Sequence, residues 1–363
     1  MSINEETSKR ISSLRIILVL LVICIHNYPS NYIDNNVVIK YIVKFLRWLL
    51  SGDGGIPSGA VPAFFVITAY LQFIKTEKYS ELLKKKFKAI IVPYIIWITL
   101  YIIMNFLLQS IPNLSGFSVN SSGDIITKWR IIDWIGAYTG YGRASCKPIA
   151  APLWFLRDLI VLIIVSPIIK YILDKDKGIE LLIITGIIYY CDVSLYFVFP
   201  ASLFYYCLGA FISNNKYDLF TLSDRFSMIF LTCLYIVCFI IYHLFSNVEY
   251  FNCSVLTSFC MLLWFYRLSK HIVFSNRLFC ILKKAEKYSF FIYCFHGPFV
   301  IAIMNRLWCK FIPEYGCFGI INEILPVLIC FFICFFVAVL LEKWFPYIYN
   351  VLNGSRRGVS VSK

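Results

Sequence analysis

Apolar residues come in long runs, separated by short polar or basic breaks. Several runs reach the ~17–25 residues that one bilayer crossing needs. Ten helical spans are predicted, near 11–28, 60–75, 89–109, 153–173, 179–193, 197–213, 226–246, 251–268, 288–308 and 322–345. The fifth and sixth are the least regular. Cys191, Asp192 and Pro200 interrupt them, so one long broken element is the alternative. The alternating strands of a membrane barrel are absent from the pattern. The stretch VVIKYIVKFLRWLL (37–50) differs from the spans, because Lys40, Lys44 and Arg47 repeat by four and three. That spacing makes one basic face, suited to lying along a membrane surface. The first run follows Lys9 and Arg10 as a secretory signal would, but no small-residue cleavage site comes after it. It reads as a retained first helix. With no repeats and no low-complexity tract, residues 1–363 read as a single all-α, polytopic membrane domain.

Composition agrees with a lipid solvent. The chain is 60% hydrophobic and 15% charged, where a soluble domain carries about 25% charge. Most of the 34 Lys and Arg fall on one side when the N- and C-termini are placed in the cytoplasm, as the positive-inside rule requires. A multi-pass protein of the inner cell membrane is expected. Two inner clusters are dense: Lys84, Lys85, Lys86 and Lys88, then Arg267, Lys270, Arg277, Lys283, Lys284 and Lys287. Topology and contact with anionic lipid account for such clusters; holding a polyanionic cytoplasmic ligand is the other reading. No nucleic-acid partner is expected. Of the 14 cysteines, most lie inside apolar runs, where Cys behaves as a small hydrophobe. No paired CxxC pattern appears, so no metal is expected. One disulfide among Cys146, Cys191, Cys253, Cys309 and Cys317 is open.

The first span, LRIILVLLVICIHNY, carries Arg15 and His26. A lone arginine near a span end snorkels to the headgroups, and a lone histidine at the other end is a hydrogen-bonded interface residue. The pair says more. Eleven residues of α-helix return to within about 20° of the starting face and rise about 16 Å. Arg15 and His26 therefore share a face, separated by roughly the length of a pantetheine arm. A CoA thioester with its phosphates at the inner end would present its acyl carbon towards His26. Histidine suits deprotonation of a hydroxyl, because its ordinary pKa lies near neutrality.

The arrangement Arg-x10-His resembles the first span of the acyltransferase-3 family of membrane acyltransferases. GAVPAFFVITAYL (59–71) is similar to that family's VPxFFxISGYL segment, and KKFKAIIVPYIIW (85–97) to its basic stretch before Pro-Tyr and Trp. APLWFLRDLI (151–160) resembles its LWFL segment, and KYSFFIYCFHGPFVI (287–301) its S-x-x-IY-x-x-H-x-P segment. LLEKWFPYIY (340–349) resembles its closing Glu-and-Pro helix. The resemblance implies ten helices and a cytoplasmic acyl-CoA co-substrate, acetyl-CoA first, with no bound cofactor. It also implies a saccharide acceptor on a lipid carrier or surface polymer, a catalytic His26 and a required Arg15. The chain departs from the pattern at Thr68 and Ala69, where Ser-Gly is usual, and at Lys85, Lys86 and Lys88, which replace arginines. Ala89 stands where a basic residue is common, and no soluble esterase-like domain is expected after Lys363.

His296, mid-span beside Gly297 and Pro298, is the second catalytic candidate. Gly and Pro loosen a helix so that freed carbonyls face a cavity. His296 is expected between Arg15 and His26 along a passage for the thioester, with Tyr70 and Tyr94 as hydroxyl donors to the oxyanion. Arg15, Lys85, Lys86, Lys88 and Tyr94 form the expected donor site. Trp154, Arg157 and Asp158 are candidates for the acceptor. As sequence neighbours on a helix, Arg157 and Asp158 are expected to face apart and pair with other helices. Glu342 is expected to neutralise a lysine or orient a histidine. Trp129, Trp134, Tyr138 and Tyr141 in the long outer loop could stack on sugar rings. A transporter or flippase for a glycan intermediate is the competing reading, and succinyl transfer is the alternative to acetyl.

Overall fold

A computed structural model describes residues 3–27, 37–51, 59–75, 77–111, 126–245, 254–313 and 318–355. In chain order the helices begin with α1 (Glu5–Ile25), α2 (Val37–Ser51), α3 (Ala60–Phe73) and α4 (Tyr79–Lys86). A π-helical turn, Phe87–Ile91, leads into α5 (Val92–Ser110). Next come α6 (Ile131–Thr139), α7 (Trp154–Asp174), α8 (Gly178–Tyr190), α9 (Pro200–Asn214), α10 (Thr221–Asp224) and α11 (Met228–Phe245). The series continues with α12 (Ser254–Phe274), α13 (Asn276–Glu286) and α14 (Ser289–Phe295). A second π turn, His296–Ile301, precedes α15 (Ala302–Phe311), α16 (Phe318–Trp344) and α17 (Pro346–Leu352). Each of the ten predicted spans coincides with a helix, including the two irregular ones, which are separate helices α8 and α9. Three stretches are long and apolar enough to cross a membrane: Tyr79–Ser110, Ala151–Asp174 and Phe318–Trp344. Ser289–Phe295 with Phe299–Trp308, bent by 51°, makes a fourth, and Ala60–Phe73, Gly178–Tyr190 and Met228–Ile241 are shorter apolar helices.

The outward face of these helices is the clearest sign of their solvent. On α16, Phe332 is 64% and Phe336 62% exposed, beside exposed Leu325 and Leu328. In water such a surface would be costly at about 25 cal/mol per Å²; in hydrocarbon it is neutral. The chain is a polytopic helical membrane protein.

The helices fall into two compact units, interleaved in sequence. One holds residues 1–22, 47–81 and 161–286; the other holds 23–46, 82–160 and 287–363. In the first, α3 and α9 pack backbone to backbone. A Cβ on Gly209 would lie 2.3 Å from the Val66 carbonyl oxygen, which is the close approach that small residues permit in membrane helices. Arg10, 2% exposed, ties the start of α1 into this unit. Its Nη1 and Nη2 donate to Asp224 at 2.7 and 2.9 Å, Nε to Ser269 at 3.0 Å, and Nη2 also to the Tyr266 carbonyl at 2.8 Å. The Phe220 ring covers the guanidinium at 3.9 Å.

In the second unit, proline at the first turn starts α5 and α17, where its missing N–H is no loss. The end of the chain closes onto the first π turn: Trp97 Nε1 donates to the Leu352 carbonyl at 3.1 Å. Gly354 has φ +70°, and a Cβ there would meet the Ala89 carbonyl oxygen at 2.3 Å. Glu342 accepts from Lys287 at 2.8 Å and from Tyr288 at 2.6 Å, so it neutralises a lysine, as expected.

Candidate functional site

Helix α1 stops at Ile25, and His26 sits on the turn that closes it, its N–H on the Ile23 carbonyl at 3.1 Å. The predicted span ran further, to residue 28. Pro29 disfavours helical backbone at the residue before it, and the chain leaves the helix just short of that point. Asn27 anchors the exit. Its amide nitrogen donates to the carbonyls of Asn322 at 3.0 Å and Glu323 at 3.3 Å. The Asn305 amide nitrogen donates to the His26 main-chain carbonyl at 3.4 Å.

The structure brings His26 and His296 together: their ring centroids are 5.5 Å apart, with the planes tilted by 40°. His296 opens the second π turn. Pro298 has no N–H to give to the preceding turn, and π bulges of this kind recur at functional sites. The ring is fully buried. Its Nδ1 lies 2.7 Å from the Tyr293 carbonyl and 3.2 Å from that of Ile292. Carbonyls only accept, so Nδ1 carries the proton and Nε2 is the bare acceptor. Nε2 is buried with no hydrogen-bond partner among the described residues.

A shell of fixed contacts holds the His296 turn. Tyr293 donates its hydroxyl to the Pro152 carbonyl at 2.6 Å. A Cβ on Gly297 would lie 2.3 Å from Pro152 Cγ, so only glycine allows this approach. Two residues on, Trp154 begins α7 and is half-buried. Arg157 and Asp158 follow, and here the expectation that they face apart fails. Arg157 Nη2 and Nε donate to Asp158 Oδ1 at 2.5 and 2.9 Å, and both residues are buried. Adjacent Cα–Cβ bonds diverge on a helix, but the arginine stem is long enough to fold back across its neighbour. Arg157 Nη1 also donates to the carbonyls of Thr139 and Cys146. The pair holds the loop after α6 and does not stand open to an acceptor.

That loop places Lys147, which the sequence reading passed over, near enough to His26 to act on it electrostatically. Burial, then the Arg157 cation, push the Lys147 ammonium below its ordinary pKa, while Asp158 opposes them. Tyr94 belongs to the same group and not with the donor lysines. Its hydroxyl donates to the Tyr138 carbonyl, so it is not free for an oxyanion. Trp129 and Trp134 pack edge to face at 5.0 Å.

The remaining expected residues lie elsewhere. Lys85, one residue before the end of α4, is exposed, Lys86 is half-buried and Lys88, in the first π turn, is exposed. Arg15 belongs to the first unit and pairs with Glu286 at 2.6 Å; its side chain keeps 39% exposure and that of Glu286 17%. Glu286 was not foreseen. Tyr70 is also in the first unit, beside Leu219. Within the inner basic cluster, Arg267 and Lys270 sit 3.5 and 3.4 Å from Asp224. Of the cysteines considered for a disulfide, Cys146 and Cys191 are free thiols. Cys253, Cys317 and the Cys309 side chain lie outside the described residues.

The chain is 22% identical to the succinoglycan biosynthesis protein ExoH of Rhizobium meliloti (strain 1021), over 98% of this chain and 94% of that protein. No solved structure matches it. Residues 9–343 match a family described as an acyltransferase domain. That match takes in Arg15, His26 and His296, and the chain belongs to the acyltransferase-3 family.

Proposed function

We propose that the protein transfers an acyl group, acetyl in the first instance, from cytoplasmic acyl-CoA to a hydroxyl of a cell-envelope saccharide. It acts in the inner membrane as one functional domain with both termini in the cytoplasm. The observation that carries the chemistry is the His26–His296 pair, His26 half-buried and His296 buried, with one bare acceptor nitrogen. His26 removes the proton of the sugar hydroxyl as its oxygen attacks the thioester carbonyl. A C–O bond forms, the tetrahedral oxyanion collapses, the C–S bond breaks, and the departing thiolate takes the proton from His26. His296 Nε2 is an acceptor for the second N–H of the His26 imidazolium while it lasts. A general base contributes about 10²–10⁴-fold.

The saccharide acceptor is supported by the succinoglycan biosynthesis protein, which aligns over almost all of both chains. The donor is supported by family membership and by the lysines at 85, 86 and 88, which offer point charges to phosphate. Arg15 adds a further cation on the helix that ends at His26. The acyltransferase family favours transfer over export of a glycan.

The test is transfer of label from acetyl-CoA and succinyl-CoA to envelope glycan in inside-out membrane vesicles. Label should reach the glycan from one of the two. A triple Lys85→Ala, Lys86→Ala, Lys88→Ala variant should bind the same donor about tenfold more weakly by calorimetry. Glycan that stays unlabelled with both donors contradicts the reading. Unchanged donor affinity in the triple variant leaves those lysines as a topology signal alone.

A further inference from the structure

Two asparagines flank His26 in a way the transfer chemistry does not use. Asn27 is 3% and Asn305 9% exposed. Each amide group has its orientation fixed by the atoms that its nitrogen reaches. Asn27 Nδ2 donates to two carbonyls at 3.0 and 3.3 Å, so Oδ1 points away from them. Asn305 Nδ2 donates to the His26 carbonyl, and again Oδ1 is the atom left over. Both Oδ1 atoms are buried with no hydrogen-bond partner among the described residues, as is His296 Nε2. Three bare acceptors thus gather around one histidine, on α15, the His296 turn and the end of α1. Buried acceptors are nearly always satisfied, and an exception calls for a reason.

Gln72 Oε1 and Asn353 Oδ1 are bare as well, each singly, whereas at His26 two amide oxygens and an imidazole nitrogen are bare together. The unpartnered tyrosine hydroxyls have a local answer. Tyr205 stands beside Ser258 and Tyr189, and Tyr206 beside Gln72 and Ser166. Their hydroxyls rotate to suit. An amide oxygen held by its own nitrogen cannot. What completes a set of fixed acceptors is a ligand rich in donors and carrying no negative charge near them.

We propose that Asn27 and Asn305 form the acceptor subsite, each Oδ1 taking a hydrogen bond from a sugar hydroxyl beside the one that His26 deprotonates. The substrate class is a neutral hexose unit with adjacent free hydroxyls. Asn305 also positions His26 through its main-chain carbonyl. The proposal rests on the acyl-transfer reading for which hydroxyl reacts, but not for sugar binding itself.

Two variants separate the roles of Asn305. Asn305→Asp keeps an acceptor and loses the amide donor to His26; Asn305→Leu loses both. The probe is a set of methyl glycosides of glucose, galactose and mannose, tested by saturation-transfer NMR on protein in nanodiscs without CoA. At least one glycoside should bind wild type. Asn305→Leu and Asn27→Leu should weaken it about five- to tenfold, the usual loss for one hydrogen bond to a buried group. Asn305→Asp should keep affinity within about threefold and lose turnover. Donor affinity by calorimetry should stay unchanged in all three, which also shows that they fold. Equal glycoside binding by wild type and Asn305→Leu overturns the subsite. So does the absence of glycoside binding together with an unaltered KM for the native acceptor in Asn305→Leu. Asn305-dependent glycoside binding in a protein that uses no acyl-CoA leaves the subsite standing and removes the transfer reading.

Discussion

Arg10 and His296 are both almost wholly buried, at 2% and 0% exposure, and their surroundings are built differently. Every nitrogen of the Arg10 guanidinium has a partner, and Phe220 covers its face. His296 uses one nitrogen on main-chain carbonyls and leaves the other bare, with two amide oxygens equally bare near His26. The Arg10 guanidinium is fully satisfied and its effect is on stability. The His296 network is incomplete among the described residues, which is what the proposed binding and reacting centre requires.

The largest effect expected from this contrast is on folding. Asp224→Ala leaves buried Arg10 with only the exposed Glu6 carboxylate at 3.7 Å, which costs up to roughly 3–5 kcal/mol, and thermal unfolding in nanodiscs should show it. Arg10→Met with Asp224→Leu should recover much of the loss, because a buried pair is often replaceable by apolar residues. Burial alone would raise the Asp224 carboxyl, but the Arg10 guanidinium and Lys270 hold it below its ordinary value of 3.8. A depressed carboxyl contributes stability that is present above the unfolded value and lost as pH falls through the folded one. Acid below about pH 4 should therefore destabilise wild type more than Asp224→Asn. Equal acid sensitivity of the two would show that the Arg10 network carries no such charge linkage.

His296→Phe should do the reverse. It keeps an aromatic ring at the position, only slightly larger than imidazole, so the melting midpoint should move less than in Asp224→Ala, while turnover falls at the lower end of the ~10²–10⁴-fold range for acid–base groups. A variant that melts early yet retains turnover per folded molecule would place His296 with Arg10, as a structural residue.

The smallest effect concerns Glu286. Its carboxylate lies 2.6 Å from Arg15 and competes with the anionic donor if Arg15 holds that donor as proposed. Partly exposed pairs contribute about 0.2–1 kcal/mol, so Glu286→Gln should raise acyl-CoA affinity two- to fivefold by calorimetry. The gain should shrink at high salt. Weaker donor binding would mean that Glu286 orients Arg15 and does not compete with the donor.

Periodicity and hydropathy made the helices legible, because each span is long and apolar over its own length. The Arg15–His26 spacing and the Gly297–Pro298 disturbance were legible for the same reason: both are local. The partners were not. Glu286 meets Arg15, and Asn305 meets the His26 carbonyl, across more than 250 residues of chain. No local pattern marks an asparagine whose oxygen will lack a partner. Arg157 and Asp158 misled in the opposite sense, because helix geometry fixes where Cβ points and not where a long guanidinium ends. Lys147 lay in a loop with no period to read, and only the fold brings it to His26.

His26→Gln is the most direct test of the central claim that the incomplete network is the reacting centre. The substitution keeps hydrogen bonding and removes basicity. Purified wild type and variant in nanodiscs should be compared for acyl transfer to glycan by mass spectrometry, with melting midpoint and donor affinity measured on the same samples. The account predicts an unchanged midpoint, unchanged donor affinity and turnover reduced at least about 100-fold. Near wild-type acylation by His26→Gln would contradict it.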